Sequence, residues 1–93
     1  MKGGDIYKME EKIIGKITHY FTNIGVAVFE ITAGKLKIGD KIHIKGATSD
    51  FEQSVDSMQV EHENVEIAKK GDAVGAKVDQ QVREGDEVYL ISK

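Results

Sequence analysis

The chain has no cysteine, no proline and no tryptophan. Without cysteine, disulfides, thiolate nucleophiles and cysteine-ligated zinc are excluded together. Aromatic residues make up 6% of the chain, namely Tyr7, Tyr20, Phe21, Phe29, Phe51 and Tyr89, so aliphatic side chains must supply most of the packing. The longest apolar run, residues 24–29, is far shorter than a membrane span. The opening MKGGDIYKMEEK lacks the apolar stretch of a signal peptide. A cytoplasmic protein with no membrane segment is expected, and no low-complexity stretch or linker interrupts it.

What remains fits one core: 93 residues, 40% of them hydrophobic, with isoleucine and valine dominant. Net charge is −3, which opposes general affinity for nucleic acid. The charge is unevenly spread. Residues 1–45 carry eight lysines against five acids, while residues 46–93 carry four lysines and Arg83 against eleven acids. Strands from the two halves can interleave in space, which would erase the asymmetry.

Residues 1–10, with Gly3-Gly4 and no clear period, are expected to form a partly ordered lead-in, and residues 11–93 a single β-barrel domain. Ile13, Gly15, Ile17, His19 and Phe21 share one face of a first strand and Ile14, Lys16, Thr18 and Tyr20 the other, the period of two expected of a half-buried strand. Thr22-Asn23 makes a turn. In residues 24–32, Ala27, Phe29 and Ile31 oppose Ile24, Val26 and Val28, so both faces are apolar and the strand should be covered on both sides or lie against another element. Residues 41–45 alternate with Ile42 and Ile44 inward. From Phe51 the inward set is Phe51 and Val55, then Met58 and Val60; the odd spacing requires a bulge or bend near Asp56-Ser57. Residues 61–70 allow one loose helical turn, and Val74, Ala76 and Val78, then Val88 and Leu90, mark a fifth and a sixth strand. The expected core is Ile17, Phe29, Ile31, Ile42, Ile44, Val55, Val74, Val78 and Leu90.

One local feature recurs: I-G-D-K-I at 38–42, K-G-D-A-V at 70–74 and E-G-D-E-V at 84–88. Glycine takes the positive φ that a tight turn requires and aspartate accepts hydrogen bonds from nearby amides, so Gly-Asp is expected to act as a strand-entry device.

The block G-V-A-V-F-E-I-T-A-G-K-L-K-I-G-D-K-I-H-I-K-G at 25–46, the block S-M-Q-V-E-H-E-N-V-E-I-A-K-K-G-D-A-V-G-A-K-V at 57–78 and V-R-E-G-D-E-V at 82–88 resemble, in order, the second domain of translation GTPases of the elongation factor Tu type. The resemblance implies an all-β fold, a six-stranded closed Greek-key barrel, and a role at the end of transfer RNA or on the ribosome. The GTPase domain is missing: no G-x-x-x-x-G-K-[ST] occurs, and the nearest string, residues 34–41, puts Asp40 where the lysine should be. Similar barrels are also appended to enzymes, including a family of collagenase-like peptidases that has RNA-modifying members.

Chemistry of a catalytic kind is not legible. His19, His43 and His62 lie on separate segments without local metal-ligand spacing, and Ser49, Ser54, Ser57 and Ser92 lack activating neighbours. No cofactor, no metal and no enzymatic activity are expected. The cluster Lys35, Lys37, Lys41, His43 and Lys45 has Asp40 as its one intervening acid and is expected to line one hairpin. With Thr18, Tyr20 and Asn23 supplying a stacking ring and hydrogen-bonding groups, it forms a candidate surface for transfer or ribosomal RNA. The expected function is a non-catalytic, translation- or RNA-associated binding module. The alternative is a protein-interaction module that docks on an enzyme, a ribosomal partner or another translation-associated protein through its acidic half.

Overall fold

Short β-rich runs separated by glycine turns build ten strands in the computed structural model, which describes residues 10–92. They are β1 (Glu10–Phe21), β2 (Val26–Ile31), β3 (Lys35–Lys37), β4 (Lys41–Lys45), β5 (Asp50–Ser54), β6 (Met58–Val60), β7 (Glu63–Asn64), β8 (Ile67–Lys69), β9 (Ala73–Lys77) and β10 (Glu87–Ser92). The fold is all-β. Among the described residues there is no helix, and so none able to cross a membrane. The expected lead-in lies outside the described residues except for Glu10, which starts β1.

Eight strands form one sheet in the order β5-β4-β10-β1-β2-β9-β6-β7, and β3 pairs with β8 in a second. The end strands β5 and β7 do not pair with each other, so the expected six-stranded closed barrel is corrected to an open sheet. The extra strands are two or three residues long, too short to show a period in the sequence. The run from Phe51 breaks where its spacing required, with residues 55–57 outside both β5 and β6. At that break Val55 donates to Asp40 O at 2.8 Å rather than continuing a ladder. A buried side chain spans the gap to β9: Gln53 Nε2 donates to Lys77 O at 2.9 Å, and Asp79 N donates to Gln53 Oε1 at 2.7 Å.

The three Gly-Asp pairs form three copies of one clasp. Gly39, Gly71 and Gly85 have φ of 94°, 96° and 92°, a conformation that costs other residues about 1–2 kcal/mol. Each following aspartate donates its N–H to the carbonyl three residues earlier (Lys37, Lys69, Arg83) and accepts that same residue's N–H on its carboxylate at 2.8–3.0 Å. Each clasp also grips a buried aliphatic residue on a crossing segment. Gly39, Gly71 and Gly85 donate to the carbonyls of Val55, Ile31 and Ile17, whose N–H groups return to Asp40, Asp72 and Asp86.

The core gathers one face of the sheet. A row of paired residues, Ile17, Phe29, Val74 and Val60, crosses β1, β2, β9 and β6, and Phe29 is fully buried at its centre. The expected core residues are buried except Leu90, which is half-buried and packs against the edge of the cluster. The loose helical turn expected within 61–70 is instead a two-residue hairpin loop, Glu61-His62, between β6 and β7, with φ of 53° and 66°.

β1 departs most from simple alternation. Its register slips between Ile13 and Gly15 against β10, and between Ile17 and His19 against β2, leaving Ile14 and Thr18 as extra residues. Each bulge shifts the alternation by one. Ile14 and Tyr20 therefore turn toward the core, while Ile13, His19 and Phe21 face outward, the reverse of the expected faces. At Gly15 the backbones of β1 and β2 come so close that a side chain would collide with the Glu30 carbonyl.

Candidate functional site

The lysines grouped by sequence are separated by the fold. Lys35 and Lys37 sit exposed on β3, paired with β8, where Lys35 faces Lys69. Lys41, His43 and Lys45 sit on β4, between β5 and β10. They do not line one hairpin, because the turn at 38–40 carries the chain from one sheet into the other. Acids also arrive from neighbouring strands. Asp50, Lys45, Glu87 and Lys16 lie in register across β5, β4, β10 and β1, a row of alternating sign. Such cross-strand pairs attract. The half-and-half charge asymmetry of the sequence disappears here, since strands from both halves alternate.

The other residues of the expected surface lie elsewhere. Tyr20 is four residues beyond Lys16 on β1, roughly 13 Å along the strand, and two strands away from β4. It is half-buried against the core. Thr18 occupies a bulge and donates from Oγ1 to Val28 O at 3.2 Å. Asn23 is exposed in the β1–β2 turn.

His43 is half-buried among carboxylates. Its Nδ1 lies 2.9 Å from Glu11 Oε2, and its Nε2 lies 2.5 Å from Asp50 Oδ1. Asp50 comes from the adjacent β5, while Glu11 reaches over β10 from β1. The hydrogen bond to Asp50 raises the His43 pKa above 6.5; partial burial opposes this, and Glu11 adds to it. The same bond lowers the Asp50 pKa. Glu52, the cross-strand partner of His43, places a third carboxylate nearby, and donor atoms of Glu11, His43 and Glu52 lie within 4.8 Å of one another. Tyr89 flanks the imidazole with ring centroids 6.3 Å apart, and its hydroxyl donates to Glu87 at 2.6 Å, which raises the Tyr89 pKa. Sequence reasoning picked out His43 and missed Glu11, Asp50 and Glu52. Hairpin arithmetic from Lys45 and Asp50 across the loop at 46–49 carries a signal for Asp50 and Glu52; none exists for Glu11.

A second feature lies on the outward face of β1, β2, β9 and β6. Phe21 and Ile24, 45% and 60% exposed, join half-buried Val26 and Val28 in a groove of about 460 Å³. Gly75, paired with Val28, contributes no side chain, which leaves the floor open. The second apolar face of β2, expected to be covered or to lie against another element, is uncovered among the described residues. Glu61 and His62 stand on the rim. Their left-handed backbone costs free energy of order 1–2 kcal/mol per residue, and such strain gathers at binding sites. His19, exposed nearby, packs against Phe21 with ring centroids 4.6 Å apart.

No family model matches the chain. It is 44% identical over 91 residues to a Methanocaldococcus jannaschii protein named as an uncharacterized protease, a match covering 97% of this chain and 22% of that protein. It is also 39% identical over 85 residues to a collagenase of Porphyromonas gingivalis, covering 90% of this chain and 24% of the collagenase. The chain thus spans about a quarter or less of the curated relatives it matches. Among solved structures it is similar to the C-terminal domain of a Geobacillus thermoleovorans putative U32 peptidase. The TM-score is 0.79 at 17% identity, with 85% of this chain and 91% of that one covered. The selenomethionine variant of that domain gives a TM-score of 0.76.

These comparisons overturn the expected kinship with translation GTPases, and with it the translation- or RNA-associated role. The relatives are a protease and collagenases, and the fold neighbours are peptidase C-terminal domains. The blocks that carried the resemblance contain the three Gly-Asp clasps. They encode turns and strand entries, which are requirements of backbone geometry and carry no information about a ligand.

Proposed function

We propose that this chain acts as a non-catalytic accessory domain of U32-type peptidases, packing on a peptidase body through the groove of Phe21, Ile24, Val26 and Val28. The observation that carries the proposal is the 44% identity over nearly the whole chain to a segment making up only 22% of a protein named as a protease. The fold likeness to a peptidase C-terminal domain supports it. Cleavage then belongs to the remaining part of such a protein. Contacts between domains typically bury roughly 600–1,500 Å² and centre on a few apolar anchors. Phe21 and Ile24 project as such anchors, and the strained Glu61-His62 loop sets a polar rim beside them.

The test uses the Methanocaldococcus jannaschii relative lacking the matched segment, titrated with this chain. Saturable one-to-one association in the micromolar range, about −7 to −8 kcal/mol, is expected. Phe21→Glu with Ile24→Glu should weaken it at least tenfold while leaving the strand spectrum unchanged. Absence of association at ~100 μM, about −5.5 kcal/mol, rejects the accessory role. Association indifferent to the two substitutions rejects the groove.

A further inference from the structure

We propose that His43 Nδ1 and the carboxylates of Glu11 and Glu52 form a binding site for a divalent transition-metal ion of the zinc class, with Asp50 holding the opposite ring nitrogen. The donors converge from three strands, Glu11 from β1, His43 from β4 and Glu52 from β5, and lie within 4.8 Å of one another. Zinc bonds of about 2.0–2.2 Å need tetrahedral ligand atoms about 3.4 Å apart. Nδ1 and Glu11 already lie closer than that, so a shift of at most about 1.4 Å by the long, exposed side chain of Glu52 brings its carboxylate into range.

Two features separate this group from an ordinary acidic patch. One donor is an imidazole nitrogen, and the other ring nitrogen is engaged by Asp50. Metal-bound histidines almost always donate their second N–H to a carboxylate or carbonyl, which fixes the tautomer and ring direction. The charge is also unbalanced. Glu11, Asp50 and Glu52 surround one imidazole; Lys45, across the strands from Asp50, offsets that carboxylate, but among the described residues no lysine or arginine forms a salt bridge with Glu11 or Glu52. With the ring neutral, as ligation through Nδ1 requires, Glu11 and Glu52 carry two negative charges, which a divalent ion neutralises. A mixed nitrogen and oxygen set favours zinc and its neighbours over calcium or magnesium, which prefer oxygen alone. The absence of local ligand spacing in the sequence does not count against the site, because each donor comes from a different strand.

The experiment titrates the chelator-treated full chain with Zn²⁺ by calorimetry at neutral pH, with ¹⁵N detection of the histidine rings. Expected are one saturable site, a large shift at His43 Nδ1 and a persistent Nε2–H. His43→Gln and Glu52→Gln should abolish that site. Asp50→Asn, which removes a positioning charge and no ligand, should weaken it by about 10–100-fold. His19→Gln and His62→Gln should leave it unchanged. The proposal fails if no saturable binding appears below about 1 mM, about −4 kcal/mol. It also fails if binding survives His43→Gln, or if Nε2 takes the metal. Circular dichroism of each variant distinguishes lost ligation from lost fold. The result is independent of whether a peptidase body binds.

Discussion

Ile31 and Asp72 hold each other through the backbone: Ile31 N donates to Asp72 O at 2.9 Å while Gly71, the residue before the aspartate, donates to Ile31 O at 2.8 Å. This clasp fastens the end of β2 to the entry of β9 and recurs twice, on Ile17 and on Val55. Nothing lies within 4 Å of where a Cβ would stand at Gly71 (φ +96°), so Gly71→Ala carries a backbone penalty alone. Chemical denaturation should show a loss of about 1–2 kcal/mol there, and similar losses at Gly39 and Gly85. A neutral effect at all three would mean that the positive φ is not required.

Gly46 is a glycine for a different reason. A Cβ there would fall on the carboxylate of Asp86, which is buried and accepts the Arg83 N–H. Gly46→Ala should destabilise by about 3 kcal/mol, the upper range for overpacking. In a double-mutant cycle, Asp86→Ala should recover part of that loss. Strictly additive losses would show that the two positions do not compete for space.

Phe29 is fully buried where four strands meet. Phe29→Ala should cost about 3–5 kcal/mol. A melting temperature close to that of the native protein would place this ring at the edge of the core.

Gln53 bridges the open side of the sheet. Replacing it with leucine keeps the volume but strands the Lys77 carbonyl and the Asp79 N–H, at about 1–3 kcal/mol for each unpaired group if it stays dry. Hydrogen exchange at the Asp79 amide should accelerate in Gln53→Leu. Unchanged protection there would show that another group had replaced the bridge.

The His43–Asp50 pair predicts opposite pH limits in chelator-treated protein. His43 has a folded pKa raised above 6.5, so its stabilisation is complete below pH 6.5 and is lost as pH rises through the folded value. Asp50 has a folded pKa below 3.8, so its contribution is present above pH 3.8 and is lost as pH falls through the folded value. In urea unfolding, His43→Gln should flatten both declines, because it also removes the bond that lowers the Asp50 pKa, whereas Asp50→Asn should flatten the acid decline and leave only the part of the alkaline one that Glu11 sustains. Parallel profiles for wild type and both variants would show that the pair contributes nothing.

The sequence determined what is local. Alternating isoleucine, valine and phenylalanine mark β2 and β4 because side chains of a strand point to opposite faces regardless of distant neighbours. The odd spacing between Val55 and Met58 marks the bend, and Gly-Asp marks three turns, because positive φ and the short reach to a nearby amide are properties of two adjacent residues. Tertiary structure decided the rest. The bulges at Ile14 and Thr18 arise from how β1 meets two different partners, and they reversed the facing of Ile13 and Ile14 and of His19 to Phe21 while Ile17, between them, kept its place in the core. The lysines of β3 and β4 look like one basic patch in a window of eleven residues, but strand pairing separates them and sets Asp50 and Glu87 beside Lys45. Glu11 reaches His43 from 32 positions away in the chain. No periodicity encodes that meeting, because it depends on the order in which β1, β10 and β4 pair.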